Sequence, residues 1–120
     1  MAMFFSGLGG PLTKEGLIQK AQEACASAPY MNCRLFTQLV LSLPDPKNPK
    51  LDEMQQVPLS SVRLGDVLRW GEKVGQHYAI YLGNGEVLEV EEWGGTPRVN
   101  KLENVIQEYD EPSFAFRKME

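Results

Sequence analysis

Histidine occurs once in this 120-residue chain, as His77, and cysteine only twice, as Cys25 and Cys33. The two cysteines are eight residues apart, a spacing that fits no zinc motif and makes a weak disulfide framework. One imidazole and two thiols supply three soft ligands, short of the usual set of four, so no metal and no cofactor is expected. Basic residues are in deficit: 12 Lys and Arg against 16 Asp and Glu leave a formal charge of −4. With no basic stripe to neutralise phosphates, nucleic acid is not an expected partner. No run approaches the ~18 apolar residues of a membrane span. The apolar start, Met1 to Leu12, carries no basic segment ahead of it, so no signal peptide is read. The expectation is synthesis in the cytoplasm, with phage association or a non-classical release route left open. Oligomeric state is not readable.

What is present is ordinary globular material. Hydrophobic residues make up 42% and charged residues 23%, enough for one domain over residues 1–120, with 1–12 an irregular N-terminal segment. Leu17, Ile18, Ala21, Ala24, Cys25 and Ala28 recur at helical spacing, with Thr13 as N-cap type and Pro29 as terminator. This predicts a first helix with Cys25 as a small core residue. A second helix is expected from Cys33 to about Leu43, capped by Asn32, with Leu35, Phe36, Leu39, Val40 and Leu43 on its apolar face. The Pro44-Asp-Pro-Lys-Asn-Pro run stops it, and residues 44–57 read as a polar loop with one turn near 51–55.

The period then changes. Leu64-Gly-Asp-Val-Leu-Arg-Trp reads as a turn feeding a strand. Tyr78–Leu82 and Glu86–Val90 flank Gly83-Asn84-Gly85, a hairpin signal. Arg98–Leu102 reads as a strand, Leu102–Tyr109 as a short helix and Ser113–Lys118 as a last strand. Helices first and strands after predict an α+β fold, an antiparallel sheet with helices packed on one face.

Two residues bear on chemistry. Cys33 heads a helix, where the partial positive charge and exposed first-turn amides favour a thiolate and an oxyanion. His77 has an unperturbed pKa of about 6.5, suited to proton transfer near neutral pH. With a three-residue turn in the hairpin, His77, Glu89 and Glu91 share a face, and a carboxylate can orient the imidazole. With a two-residue Asn-Gly turn the register slips by one and both glutamates leave that face. Turn length decides the matter, and both remain open from sequence. The plain alternatives are a solvated acidic edge at Glu86, Glu89, Glu91 and Glu92, and a buried structural role for the cysteine and histidine.

In order, Asn32-Cys33 before an apolar helix, Leu64-Gly65-Asp66-Val67-Leu68, and His77-Tyr-Ala-Ile-Tyr-Leu-Gly-Asn-Gly resemble the NlpC family of papain-like cysteine peptidases over about residues 29–118. That family typically shows Asp-Cys-Ser-Gly, a Pro-Gly-Asp-Leu-like turn and His-x-Gly-Ile-Tyr-x-Gly-Asn-Gly. The resemblance implies a papain-like fold and hydrolysis of an amide bond in a bacterial cell-wall peptide, a peptidoglycan stem peptide being the expected substrate. It implies Cys33 as nucleophile, His77 as base and Glu89 as the third polar residue, where the family more often carries His, Asn or Gln. Tyr30 matches a tyrosine that lines the site. Arg34 and Leu35 replace the family's Ser-Gly; Arg34 is a candidate for contacting thiolate or substrate carboxylate. Trp93, with Trp70, is a candidate for lining the cleft, against the plainer reading of aromatic core. Two other readings stand beside the peptidase: an amidase or acyltransferase acting on another acyl group, and a non-catalytic binding or phage-assembly protein that kept the fold.

Overall fold

A computed structural model of the chain describes residues 12–27, 32–41, 54–71, 77–90 and 96–118. Helix α1 (Lys14–Ser27) begins where Thr13 Oγ1 accepts the Gly16 amide at 3.0 Å. Helix α2 (Cys33–Leu41) begins where Asn32 caps it twice: its side chain accepts the Leu35 amide at 2.8 Å and its carbonyl the Phe36 amide at 2.9 Å. Both caps are the residue types the sequence pointed to, and each satisfies first-turn donors that the helix itself cannot.

The strands are β1 (Met54–Val57), β2 (Val67–Trp70), β3 (His77–Gly83), β4 (Glu86–Val90), β5 (Pro97–Lys101) and β6 (Phe114–Lys118). They form one antiparallel sheet in the order β1-β6-β2-β3-β4-β5. A third helix, α3 (Leu102–Tyr109), connects β5 to β6. This is the expected α+β architecture, with one added strand. Residues 54–57, read as part of a polar loop, form β1, because pairing with β6 supplies the ladder that their own sequence does not advertise.

The sheet has two different faces. Ile80, Leu82, Leu88 and Val90 pack against Leu17 and Ala21 of α1 and Phe36 and Val40 of α2. Leu68, Trp70, Ala79, Val87 and Ala115 face the other way, with Val57 and with Val105 of α3. Helices therefore lie on both faces, not one: the N-terminal pair covers one side and α3 the other. Two details of the helical stripes also differ. Leu39 is 47% exposed while Thr37 is buried, its hydroxyl donating to the Cys33 carbonyl at 2.8 Å. Cys25 is a partly buried neighbour of the helical core cluster rather than a member of it, and burial pushes its thiol up.

The hairpin resolves the open question of register in an unexpected way. Asn84 (φ 52°) and Gly85 (φ 74°) form a two-residue turn that closes on Gly83 and Glu86, both positions in the left-handed region that such a turn requires. The register then shifts between Tyr81 and Gly83, so that Tyr81 pairs Val87 and Ile80 pairs Leu88. Leu82 is an inserted residue, a β-bulge. The short turn alone would have sent Glu89 to the opposite face. The bulge restores it.

The Gly65-Asp66 turn is built for the fold. Gly65, at φ 93°, donates to the Tyr81 carbonyl at 2.8 Å, and the Tyr81 amide donates to the Asp66 carbonyl at 2.8 Å. The buried Asp66 carboxylate accepts the Arg63 amide at 2.9 Å and Arg117 Nε and Nη2 at 2.9 and 2.8 Å. These bonds lock β2, β3 and β6 together at the end of β3 remote from His77.

Candidate active site

Alternation along β3 and β4 sets the site. His77, Ala79 and Tyr81 point to one side of β3; in the restored register Val87 and Glu89 of β4 point to the same side. On β5, Arg98 pairs with Glu89 and Asn100 with Val87. His77, Glu89, Arg98 and Asn100 thus share a face across three neighbouring strands.

They are also bonded. His77 Nε2 lies 2.8 Å from Glu89 Oε1, and both side chains are buried. Arg98 Nε and Asn100 Nδ2 each donate to Glu89 Oε2 at 2.9 Å. A carboxylate with three charged or strongly polar donors stays ionised even when buried. Burial pushes Glu89 upward, but the hydrogen bonds from His77 and Asn100 and the charges of His77 and Arg98 overcome it and hold the group down to about 2.

The imidazole is held from both sides. The Tyr109 ring, last in α3, stacks on it at 4.6 Å between centroids and 4° between planes, and Trp70 sits 5.4 Å away. Trp70 is itself fixed by donating Nε1–H to the Asp110 carbonyl at 2.8 Å. It is 1% exposed, so it is core behind the histidine and not a wall of a cleft.

Cys33 meets this group from the other half of the chain. It is half-buried, carries a free thiol and opens α2, which packs beside β3 and β4. Burial lowers the proton affinity of the His77 imidazole, yet hydrogen bonding to and electrostatic interaction with Cys33 and Glu89 raise its pKa to about 9. Nε2 is committed to Glu89. The other ring nitrogen, Nδ1, is not part of that bond. The arrangement sets an imidazole of raised proton affinity between a buried carboxylate and the influence of a free thiol.

Of the residues singled out from sequence, His77 and Glu89 are hydrogen-bonded to each other, and Cys33, packed beside the helical core cluster, bears on the proton affinity of His77. Arg34 is half-buried in the first turn of α2. Tyr30, Trp93, Glu91 and Glu92 lie outside the described residues. Glu86 is not part of the group: it accepts from Lys14 Nζ at 2.7 Å, tying α1 to the start of β4. Arg98, Asn100 and Tyr109 were not singled out. The first two follow from the β4–β5 register and the third from the docking of α3, neither of which local sequence fixes. Among the described residues no group of three or more His, Cys, Asp or Glu is placed to hold a metal, and no helix is long and apolar enough to cross a membrane.

No family model matches the chain. Over 64 residues, 53% of its length, it is 36% identical to the peptidoglycan endopeptidase RipA of Mycobacterium tuberculosis, of whose length it spans 14%. Among solved structures it is similar to the NlpC/p60 domain of the peptidoglycan hydrolase SagA, at 23% identity and a TM-score of 0.59, covering 88% of this chain and 99% of that one. It is similar also to the peptidoglycan hydrolase RipB of Mycobacterium tuberculosis, at 19% identity and a TM-score of 0.60, covering 94% and 74%. The resemblance read from the sequence holds in three dimensions: the chain has the papain-like NlpC/p60 fold, and over about half its length its sequence resembles that of a peptidoglycan endopeptidase.

Proposed function

We propose that the chain is a cysteine hydrolase that cleaves an amide bond in a peptide of bacterial peptidoglycan. The observation carrying this reading is the meeting of Cys33, at the start of α2, with the buried His77–Glu89 pair. The names of RipA, SagA and RipB support the substrate class.

Each step uses a group already described. The raised proton affinity of His77 favours an imidazolium beside a Cys33 thiolate, the reactive form of the nucleophile. The thiolate attacks the amide carbonyl, and the Cys33 main-chain amide at the helix start donates to the oxyanion. His77 gives its proton to the departing amine as the C–N bond breaks, leaving a thioester on Cys33. Neutral His77 then takes a proton from water, the hydroxyl attacks the thioester, and the free acid leaves as the thiolate and imidazolium are restored. Glu89 keeps Nε2 protonated and the ring turned toward the sulfur.

Incubation with purified peptidoglycan fragments, read by mass spectrometry, tests this. Released peptide with the wild-type chain and none with Cys33→Ala is the expected result. A labelled Cys33 without peptide release would point to another acyl substrate. Slow, ordinary alkylation of Cys33 below pH 8, unchanged by His77→Ala, would identify a binding or assembly protein instead.

A further inference from the structure

Three ionisable groups are joined across β3, β4 and β5, His77, Glu89 and Arg98, and a fourth, Cys33 of α2, bears on His77. As thiolate, imidazolium, carboxylate and guanidinium they alternate in sign and sum to zero. Without the arginine the row would hold a net negative charge in a largely buried place, which is costly. A lone buried carboxylate against an imidazole would also bind the ring proton too firmly for a group that must release it. Arg98 Nε sits 2.9 Å from Glu89 Oε2, the oxygen that does not face His77, and Asn100 donates to that same oxygen.

We propose that Arg98 is a positioning residue that offsets the charge of Glu89, so that this acid orients His77 without fixing its proton. The catalytic consequence rests on the hydrolase reading given above; the charge compensation itself does not. Among the described residues, the groups facing the imidazole are Cys33 from α2, Glu89 from β4, the Tyr109 ring from α3 and Trp70 from β2, with Arg98 reaching it through Glu89 from β5. Of these, Arg98 is the cation, and its removal strengthens the hold of Glu89 on the proton. The sign is thus opposite to that expected for a residue that merely supports the acid. Arg98 is also the most accessible member of the Glu89 cluster, its side chain 47% exposed, so it can be changed with little disturbance of the core.

His77 is the single histidine of the chain, so its Cε1–H proton resonance reports its titration without assignment. In the full chain, Arg98→Met and Arg98→Gln are expected to move that titration upward by about half to one pH unit, as expected for one partly screened charge. Arg98→Lys, which keeps the charge, is expected to titrate as wild type. No shift or a downward shift in the neutral variants, or a lysine variant that moves as they do, overturns the proposal. So does failure of both neutral variants to fold while the lysine variant folds, which would make the ion pair purely structural. Iodoacetamide labelling of the same samples separates the two ideas. If Cys33 reacts no faster than Cys25 while the His77 shift appears as expected, the hydrolase reading fails and the compensation stands.

Discussion

His77 Nε2 and Glu89 Oε1 are 2.8 Å apart on neighbouring antiparallel strands, and they are so because Leu82 bulges out of the strand between them and the hairpin turn. Everything proposed for the site depends on that pair. Replacing Glu89 with Gln keeps the shape and a hydrogen-bonding group but removes the charge. His77 should then titrate below its value of about 9, and peptide hydrolysis at neutral pH should fall roughly ten- to a hundredfold, part of the ~10²–10⁴ range of positioned acid–base groups. Proton NMR of the single imidazole and a rate measurement on the same variant check both. An unmoved titration would remove Glu89 from the site.

Tyr109 gives a second prediction. Its ring lies flat on His77, 4.6 Å away, and such aromatic pairs contribute about 0.5–1.5 kcal/mol. Tyr109→Leu preserves an apolar wall but loses the stack. Iodoacetamide labelling of Cys33 should slow severalfold at pH 7, and Tyr109→Phe should restore it, because the ring and not the hydroxyl faces the imidazole. Equal slowing in both variants would show that the phenol oxygen, and not the stack, matters.

The hairpin, α2 with its Asn32 cap, and α3 were readable because each is fixed by short-range chemistry: a turn dipeptide, a capping side chain, an amphipathic period. What escaped depends on pairing at a distance. Met54–Val57 carries two glutamines between its apolar ends and becomes a strand only against β6. The Leu82 bulge has no local signature, yet it decides which face Glu89 occupies. Arg98 and Asn100 read as ordinary polar residues of an exposed strand until the β4–β5 register sets them opposite Glu89 and Val87. The sequence motif around Cys33 and His77 was therefore visible, while the groups that tune it were not.

Asp66 separates fold from function within the motif that suggested the family. Its buried carboxylate binds Arg117 twice and the Arg63 amide once, far from His77 along β3. Asp66→Ala removes the acceptor of the Arg63 amide and of Arg117 Nε, leaving Arg117 Nη2 its bond to the Ser61 carbonyl, and should lower Tm by roughly 5 °C or more. Below the transition, Cys33 labelling and the His77 titration should match wild type. A changed His77 titration in a fully folded variant would mean that the turn reaches the site after all.

The same ion pair that prepares the site makes folding depend on pH. His77 is raised from 6.5 to about 9, so its contribution is complete below 6.5 and is lost as pH climbs through 9. Glu89 is lowered from 4.5 to about 2, so its contribution is complete above 4.5 and is lost as pH falls through 2. The pair therefore supports the fold most between about 4.5 and 6.5, and stability should decline on both sides. His77→Gln removes the alkaline part. The difference in Tm between wild type and this variant should narrow steadily from pH 6.5 to 9, and no second imidazole exists to blur it. A difference that stayed constant over that interval would mean that the folded chain does not hold His77 protonated, and the thiolate–imidazolium pair would lose its support.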